Sequence, residues 1–108
     1  MSVDPAEREA LFWRLAERLL ADPAVTRSTM MGLPCLRAGG SFFASLERAT
    51  GNLIVKLPRA RVQELVGTGA GVAFAPNRRV FREWVAMPAP DPEAWSGLLA
   101  EARAFVDA

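Results

Sequence analysis

Six cations carry the chemistry this chain could do. Lys56, Arg59 and Arg61 form one group, and Arg78, Arg79 and Arg82 form a second. Guanidinium groups bind phosphates and carboxylates through paired, charge-assisted hydrogen bonds. These six are therefore the candidate partner-binding residues. On a nucleic acid they would give salt-dependent binding that is blind to sequence. No helix with its own basic face is evident to read bases, and the second helix expected below is short. Glu83 and Trp84 follow the second group directly. Lys56 can snorkel at a sheet edge, act as a catalytic lysine, or pair with Glu83 if their strands are neighbours. The ion pair is the simplest of the three.

The remaining chemistry is thin. The chain has no His and no Tyr, which removes the commonest general base and metal ligand. One cysteine, Cys35, cannot build a Cys/His zinc site or an internal disulfide. Lying between Pro34 and Leu36 with no His to lower its pKa, it reads as a small core residue. Gly67-Thr68-Gly69-Ala70-Gly71 is glycine-rich but follows a helix and precedes a strand, the reverse of a dinucleotide fingerprint. Trp13, Trp84 and Trp95 read as core residues. No catalytic set, metal or cofactor is expected.

The elements that would hold these residues are legible from pattern. Asp4-Pro5-Ala6-Glu7 opens a helix with a cap, a proline at the first position and an acid three residues on. Leu11, Leu15 and Leu19 give its apolar stripe, flanked by Phe12, Ala16 and Leu20, with Arg8 on the other side. Residues 26–37 read as one strand interrupted at Gly32 and Pro34. A turn at Gly39-Gly40 leads to a return strand from Ser41 to Glu47, with Phe43 and Ser45 on one face and Phe42, Ala44 and Leu46 on the other. Leu53–Leu57 is a short strand with Leu53, Val55 and Leu57 on one face and Ile54 and Lys56 on the other. Pro58 opens a second helix carrying Val62, Leu65 and Val66, ended by Gly67 or Gly69. Val72–Ala75 is a strand, and Asn77–Pro88 a long one with a charged entry. Asp91-Pro92-Glu93 starts a last helix with Trp95, Leu98, Leu99, Ala102, Phe105 and Val106 inward. The order is α-β-β-β-α-β-β-α. It predicts an α+β domain over residues 1–108, with three helices packed on a mostly antiparallel five-stranded sheet.

Composition agrees with one modest globular core. A net charge of +1 gives no general pull toward nucleic acid or membrane. The middle of the chain is nonetheless basic: residues 27–82 hold nine Arg or Lys against two Glu, while both ends are acidic. The single cysteine suits a reducing cytoplasm. No signal peptide is visible after Met1, and no apolar run is long enough to span a membrane.

Taken in series, several stretches resemble the TfoX N-terminal domain family and the related YjbR/MmcQ family. They are Met30-Met31-Gly32-Leu33-Pro34-Cys35, Phe42-Phe43-Ala44, Leu53-Ile54-Val55-Lys56-Leu57-Pro58, Gly69-Ala70-Gly71-Val72-Ala73-Phe74-Ala75-Pro76 and Arg82-Glu83-Trp84-Val85. The resemblance implies an α+β fold akin to secretion chaperones. It also implies a non-enzymatic binding or regulatory module acting through a protein partner, with a homodimer as one form. The alternative is a transcription-related nucleic-acid-binding domain using the basic middle. The competence regulators that name the family carry a second, helical domain that this sequence does not contain.

Overall fold

The first helix begins where its capping residues place it. In the computed structural model, which describes residues 4–30 and 32–107, the Asp4 carboxylate accepts the Glu7 N–H at 2.9 Å and α1 (Pro5–Leu20) follows. The chain continues through β1 (Val25–Met30), β2 (Leu33–Ala38), β3 (Ser41–Leu46), β4 (Leu53–Lys56), α2 (Arg59–Gly67), β5 (Val72–Ala73), a 3-10 turn (Pro76–Arg78), β6 (Trp84–Met87) and α3 (Pro92–Asp107). The fold is α+β. Six strands pair in the order β1-β2-β3-β4-β6-β5, every neighbour antiparallel.

The strand count differs from the expected five because residues 26–37 are two strands. Gly32, at φ +81, turns the chain between β1 and β2, a conformation that costs glycine little. Pro34 is tolerated because its missing N–H falls near the start of β2. Met31, expected to suit the sheet, lies outside the described residues.

A bulge also re-aims β3. Leu36 pairs with Ala44, but Arg37 pairs with Phe42, so Phe43 is the extra residue. An extra residue flips the side-chain alternation beyond it. Phe43 therefore joins Ala44 and Leu46 in the core instead of siding with Ser45. Phe42 turns to the other face, where the Arg37 guanidinium sits 4.4 Å over its ring.

One core joins Phe12 and Ala16 of α1, Val62 and Leu65 of α2, and Trp95, Leu98, Leu99 and Ala102 of α3 to one face of the sheet. Leu53, Val55 and Leu57 share that face as their alternation predicts. In α1 the fully buried row is Arg8, Phe12 and Ala16, and the leucine row beside it is only half-buried. The opposite sheet face carries one row of cross-strand partners: Ser28, Cys35, Ser45, Ile54, Ala86 and Val72. Its central members, Cys35, Ser45, Ile54 and Ala86, are buried yet stand outside the helix-covered core. Arg37, Phe42, Lys56 and Trp84 form the next row along the same strands, all on one side of it.

No helix among the described residues is long and apolar enough to cross a membrane.

Candidate functional site: a trough beside the second helix

The stretch 77–88, expected as one long strand, is strand only from Trp84 to Met87. The reason is backbone conformation. Asn77 and Arg78 both take positive φ, 55° and 65°, which ends any extended run. The Arg79 N–H closes the 3-10 turn on the Pro76 carbonyl, and the Phe81 N–H reaches back to the Phe74 carbonyl at 2.9 Å. A second turn follows, closed by the Trp84 N–H on the Phe81 carbonyl. Strand Val72–Ala75 is correspondingly cut to Val72–Ala73. The result is a loop that stands up beside the sheet and forms a wall.

The facing wall is α2. Pro58 precedes it, and Val62 and Leu65 turn down into the core. Gly71 permits the close approach to β6, since a Cβ there would lie 2.7 Å from Val85 Cγ2 and 3.1 Å from the Met87 sulfur. Val66, expected in the core with its neighbours, faces outward instead.

Between the two walls lies a hollow of about 370 Å3. Val62, Val66, Ala73, Val80, Phe81 and Trp84 supply its apolar surface, with Arg59, Gln63, Gly67 and Arg82 around it. A second hollow shares Arg59, Phe81, Arg82 and Trp84 with the first and adds Lys56 and Glu83. The two form one open trough, apolar at one end and charged at the other. Among the described residues, its apolar members include three of the four exposed large hydrophobic residues: Val66 at 39%, Val80 at 55% and Phe81 at 38%; the fourth, Val72, lies on the neighbouring edge strand. A cluster of this kind marks an interaction surface more often than a scatter of single residues does.

The six candidate cations divide. Lys56, Arg59 and Arg82 meet in the trough. Arg78 and Arg79 are exposed on the 3-10 turn that leads into its wall, and the Arg79 guanidinium lies 5.6 Å from the Phe81 ring centroid. Phe81 also packs on Phe74, with ring centroids 5.8 Å apart. Arg61 does not join them. It points to α3, where its Nε and Nη2 donate to the Glu101 carboxylate at 2.9 and 3.1 Å, and it also pairs with Glu64. These carboxylates hold its guanidinium above its ordinary pKa, with the Glu101 hydrogen bond the largest cause. Lys56, Arg59 and Arg82, by contrast, make no ion pair among the described residues.

Lys56 ends β4 and Glu83 immediately precedes the neighbouring β6, and the two make no ion pair among the described residues. The register sets Lys56 opposite Trp84, and Glu83 spends its carbonyl on the Leu57 N–H at 2.9 Å. Trp84, read from sequence as core, is half-buried and lines the trough. Trp95 is the fully buried tryptophan, and Trp13 is half-buried like Trp84, with Arg27 stacked over its ring at 4.3 Å.

Cys35 lies in the buried row on the far sheet face. Burial pushes its thiol above the usual range, against smaller lowering effects from Ser45, the Leu36 backbone and Arg37. It is therefore a protonated thiol at neutral pH. No cluster of three or more His, Cys, Asp or Glu able to hold a metal occurs among the described residues.

Val80 and Phe81 are the site residues that sequence reasoning misses. In a regular strand one of the two would be buried; the loop exposes both. The available signal was Pro76-Asn77, which marks a turn and favours positive φ at Asn. Comparison with protein-family models, curated proteins and solved structures finds no match to this chain.

Proposed function

We propose that this chain is a non-enzymatic binding module of the TfoX N-terminal type that works in the cytoplasm through a protein partner, alone or as a homodimer. The observation that carries the reading is the trough, where Val66, Val80 and Phe81 stay exposed beside three cations that make no ion pair among the described residues. The absence of His and Tyr from the sequence and the protonated, buried state of Cys35 support a binding role over a catalytic one. Site-specific photo-crosslinking in host lysate tests this. A photoreactive residue at Val80 should yield discrete crosslinked products that the same residue at exposed Ala100 does not. Identical products at both positions, or none at Val80, would refute the reading.

A second reading, nucleic-acid binding, is favoured by the way exposed Arg78 and Arg79 extend the basic surface of the trough. Phosphate contacts from these groups would give affinity that falls steeply with salt. A gel-shift titration at two salt concentrations decides it, since no shift at the lower salt removes nucleic acid from consideration.

A further inference from the structure

We infer that the trough takes an acidic peptide, a segment of another protein in which a bulky apolar side chain is flanked by Asp or Glu. The inference rests on the reading of the chain as a binding module and names the class of partner.

Charge complementarity is the first support. Lys56, Arg59 and Arg82 line the trough against one carboxylate, Glu83. Arginine's planar fork matches a carboxylate, and a cation beside an apolar surface gains more from a pairing that sheds water. The shape is the second support. Small molecules are held in sites that bury most of their surface. Here two hollows run together and stay open along their length, which suits a linear occupant with its anchor at the Val66–Phe81 end and its acids at the Lys56–Arg82 end. Anchors of this kind dominate peptide recognition.

The aromatic geometry separates a peptide from a single-stranded nucleic acid. Base stacking needs an open ring face. Phe81 already packs against Phe74 and carries the Arg79 guanidinium over its ring, so a stacked base would have to displace one of them. An aliphatic or aromatic side chain meeting the ring edge and Val66 displaces neither.

Selection from a random dodecapeptide library displayed on phage, against the immobilised full chain, tests the proposal. Enriched sequences should place Asp or Glu around Leu, Phe or Trp. Fluorescence anisotropy on a synthetic peptide of the enriched sequence should show binding that weakens with added salt. Affinity should fall at least about tenfold in the Arg59→Glu/Arg82→Glu double variant, and similarly in Phe81→Ala. Arg61→Ala, which lies outside the trough, should bind like the parent chain. If the double glutamate variant unfolds, Arg59→Gln/Arg82→Gln takes its place, with folding checked by circular dichroism.

Enrichment of basic or uncharged sequences, no enrichment, or unaltered binding by the double variant would overturn the proposal. So would an oligo-dT probe that binds more tightly than the enriched peptide and loses its affinity in the same variants. A dimer in analytical ultracentrifugation that the double variant dissociates would assign the trough to a second copy, and would also overturn it. Where peptide selection fails but crosslinks at Val80 persist, the peptide class falls and the module reading stands. Where both fail, both fall.

Discussion

Arg8 sits in the first turn of α1 yet is only 8% exposed. Its Nη1 donates to the Pro88 carbonyl at 2.9 Å and to Asn52 Oδ1 at 3.3 Å, joining the start of α1 to the β3–β4 turn and to the end of β6. Hydrogen bonds made by a charged group contribute roughly 1.5–3 kcal/mol. Arg8→Ala should therefore lower the unfolding free energy, measured by urea denaturation, by an amount in that range. Gly51 stands against this side chain at φ +73, and a Cβ there would lie 2.8 Å from Arg8 Cδ. Gly51→Ala should destabilise through both strain and clash. In the double variant the clash is gone, so the two costs should sum to more than the measured loss; simple additivity would mean that the contact is relaxed at no cost. Arg78 offers the opposite case. Its φ of 65° costs a side-chain-bearing residue about 1–2 kcal/mol. Arg78→Gly should raise stability, and a lowered midpoint would mean the side chain makes compensating contacts. None of this was readable in advance. The sequence places Arg8 on the polar side of a leucine stripe, and nothing local says that a carbonyl eighty residues away in the chain waits for it.

Among the elements, those whose signals are local were legible, and those set by distant partners were not. The caps at Asp4 and Asp91, the alternation in β4 and the apolar stripe of α3 all follow from residues within one or two turns. The β1–β2 hairpin was hidden because Gly32 and Pro34 read equally as a bulged strand and as a turn, and only the pairing with β3 chooses between them. The loop over residues 76–83 was hidden because Val80-Phe81, a β-branched and an aromatic residue just before Trp84-Val85, read as the start of the same strand. The cations of the trough were legible as a group, but their division was not: Arg61 is drawn away by Glu101, which lies forty residues on in α3. Two glycines test the packing of the helices. Gly71 has no room for a methyl group against Val85, so Gly71→Ala should cost about 1–3 kcal/mol and lift α2. Gly97 lies in α3 with nothing within 4 Å of its missing Cβ. Gly97→Ala should stabilise by about 0.5–1 kcal/mol, because alanine gives up less backbone freedom in a helix. Thermal melts of the two variants should move in opposite directions, and a shared direction would contradict this account of the layer.

On the scale of the molecule, ion pairs tie the helical layer together across long sequence separations. Arg61 links α2 to α3, and Arg103 of α3 donates to the Asp22 carboxylate at 2.6 Å in the turn after α1. Arg103 Nε also lies 2.8 Å from Asp107, though misdirected for a hydrogen bond, so that contact is electrostatic only. The Ala24 N–H, and then Arg103, hold the Asp22 carboxyl below the usual range. A carboxyl whose folded pKa is lowered stabilises the fold above its unfolded value, near pH 4, and that contribution is lost as pH falls through the lowered one. Asp22→Asn, which keeps an oxygen for Ala24, should therefore be less stable than the parent chain at neutral pH, and the gap should close in strong acid and shrink in high salt. Both side chains are partly exposed, which keeps the effect small. A gap that does not change with pH would remove the charge from the explanation.

The two terminal helices have one more consequence. Glu7 and Leu11 of α1 lie beside Pro90 and Pro92, while Asp22 beyond its far end meets Arg103, so α1 and α3 run in the same direction. Each spans sixteen residues, about 24 Å. Pro5, where α1 begins, and Asp107, where α3 ends, therefore lie at opposite poles of the helical layer. A tension applied through them slides one helix along the other and loads the whole contact at once, instead of peeling it open turn by turn. Mechanically, the molecule is built as a shear joint, and its resistance to pulling should exceed that of a fold whose terminal elements lie antiparallel.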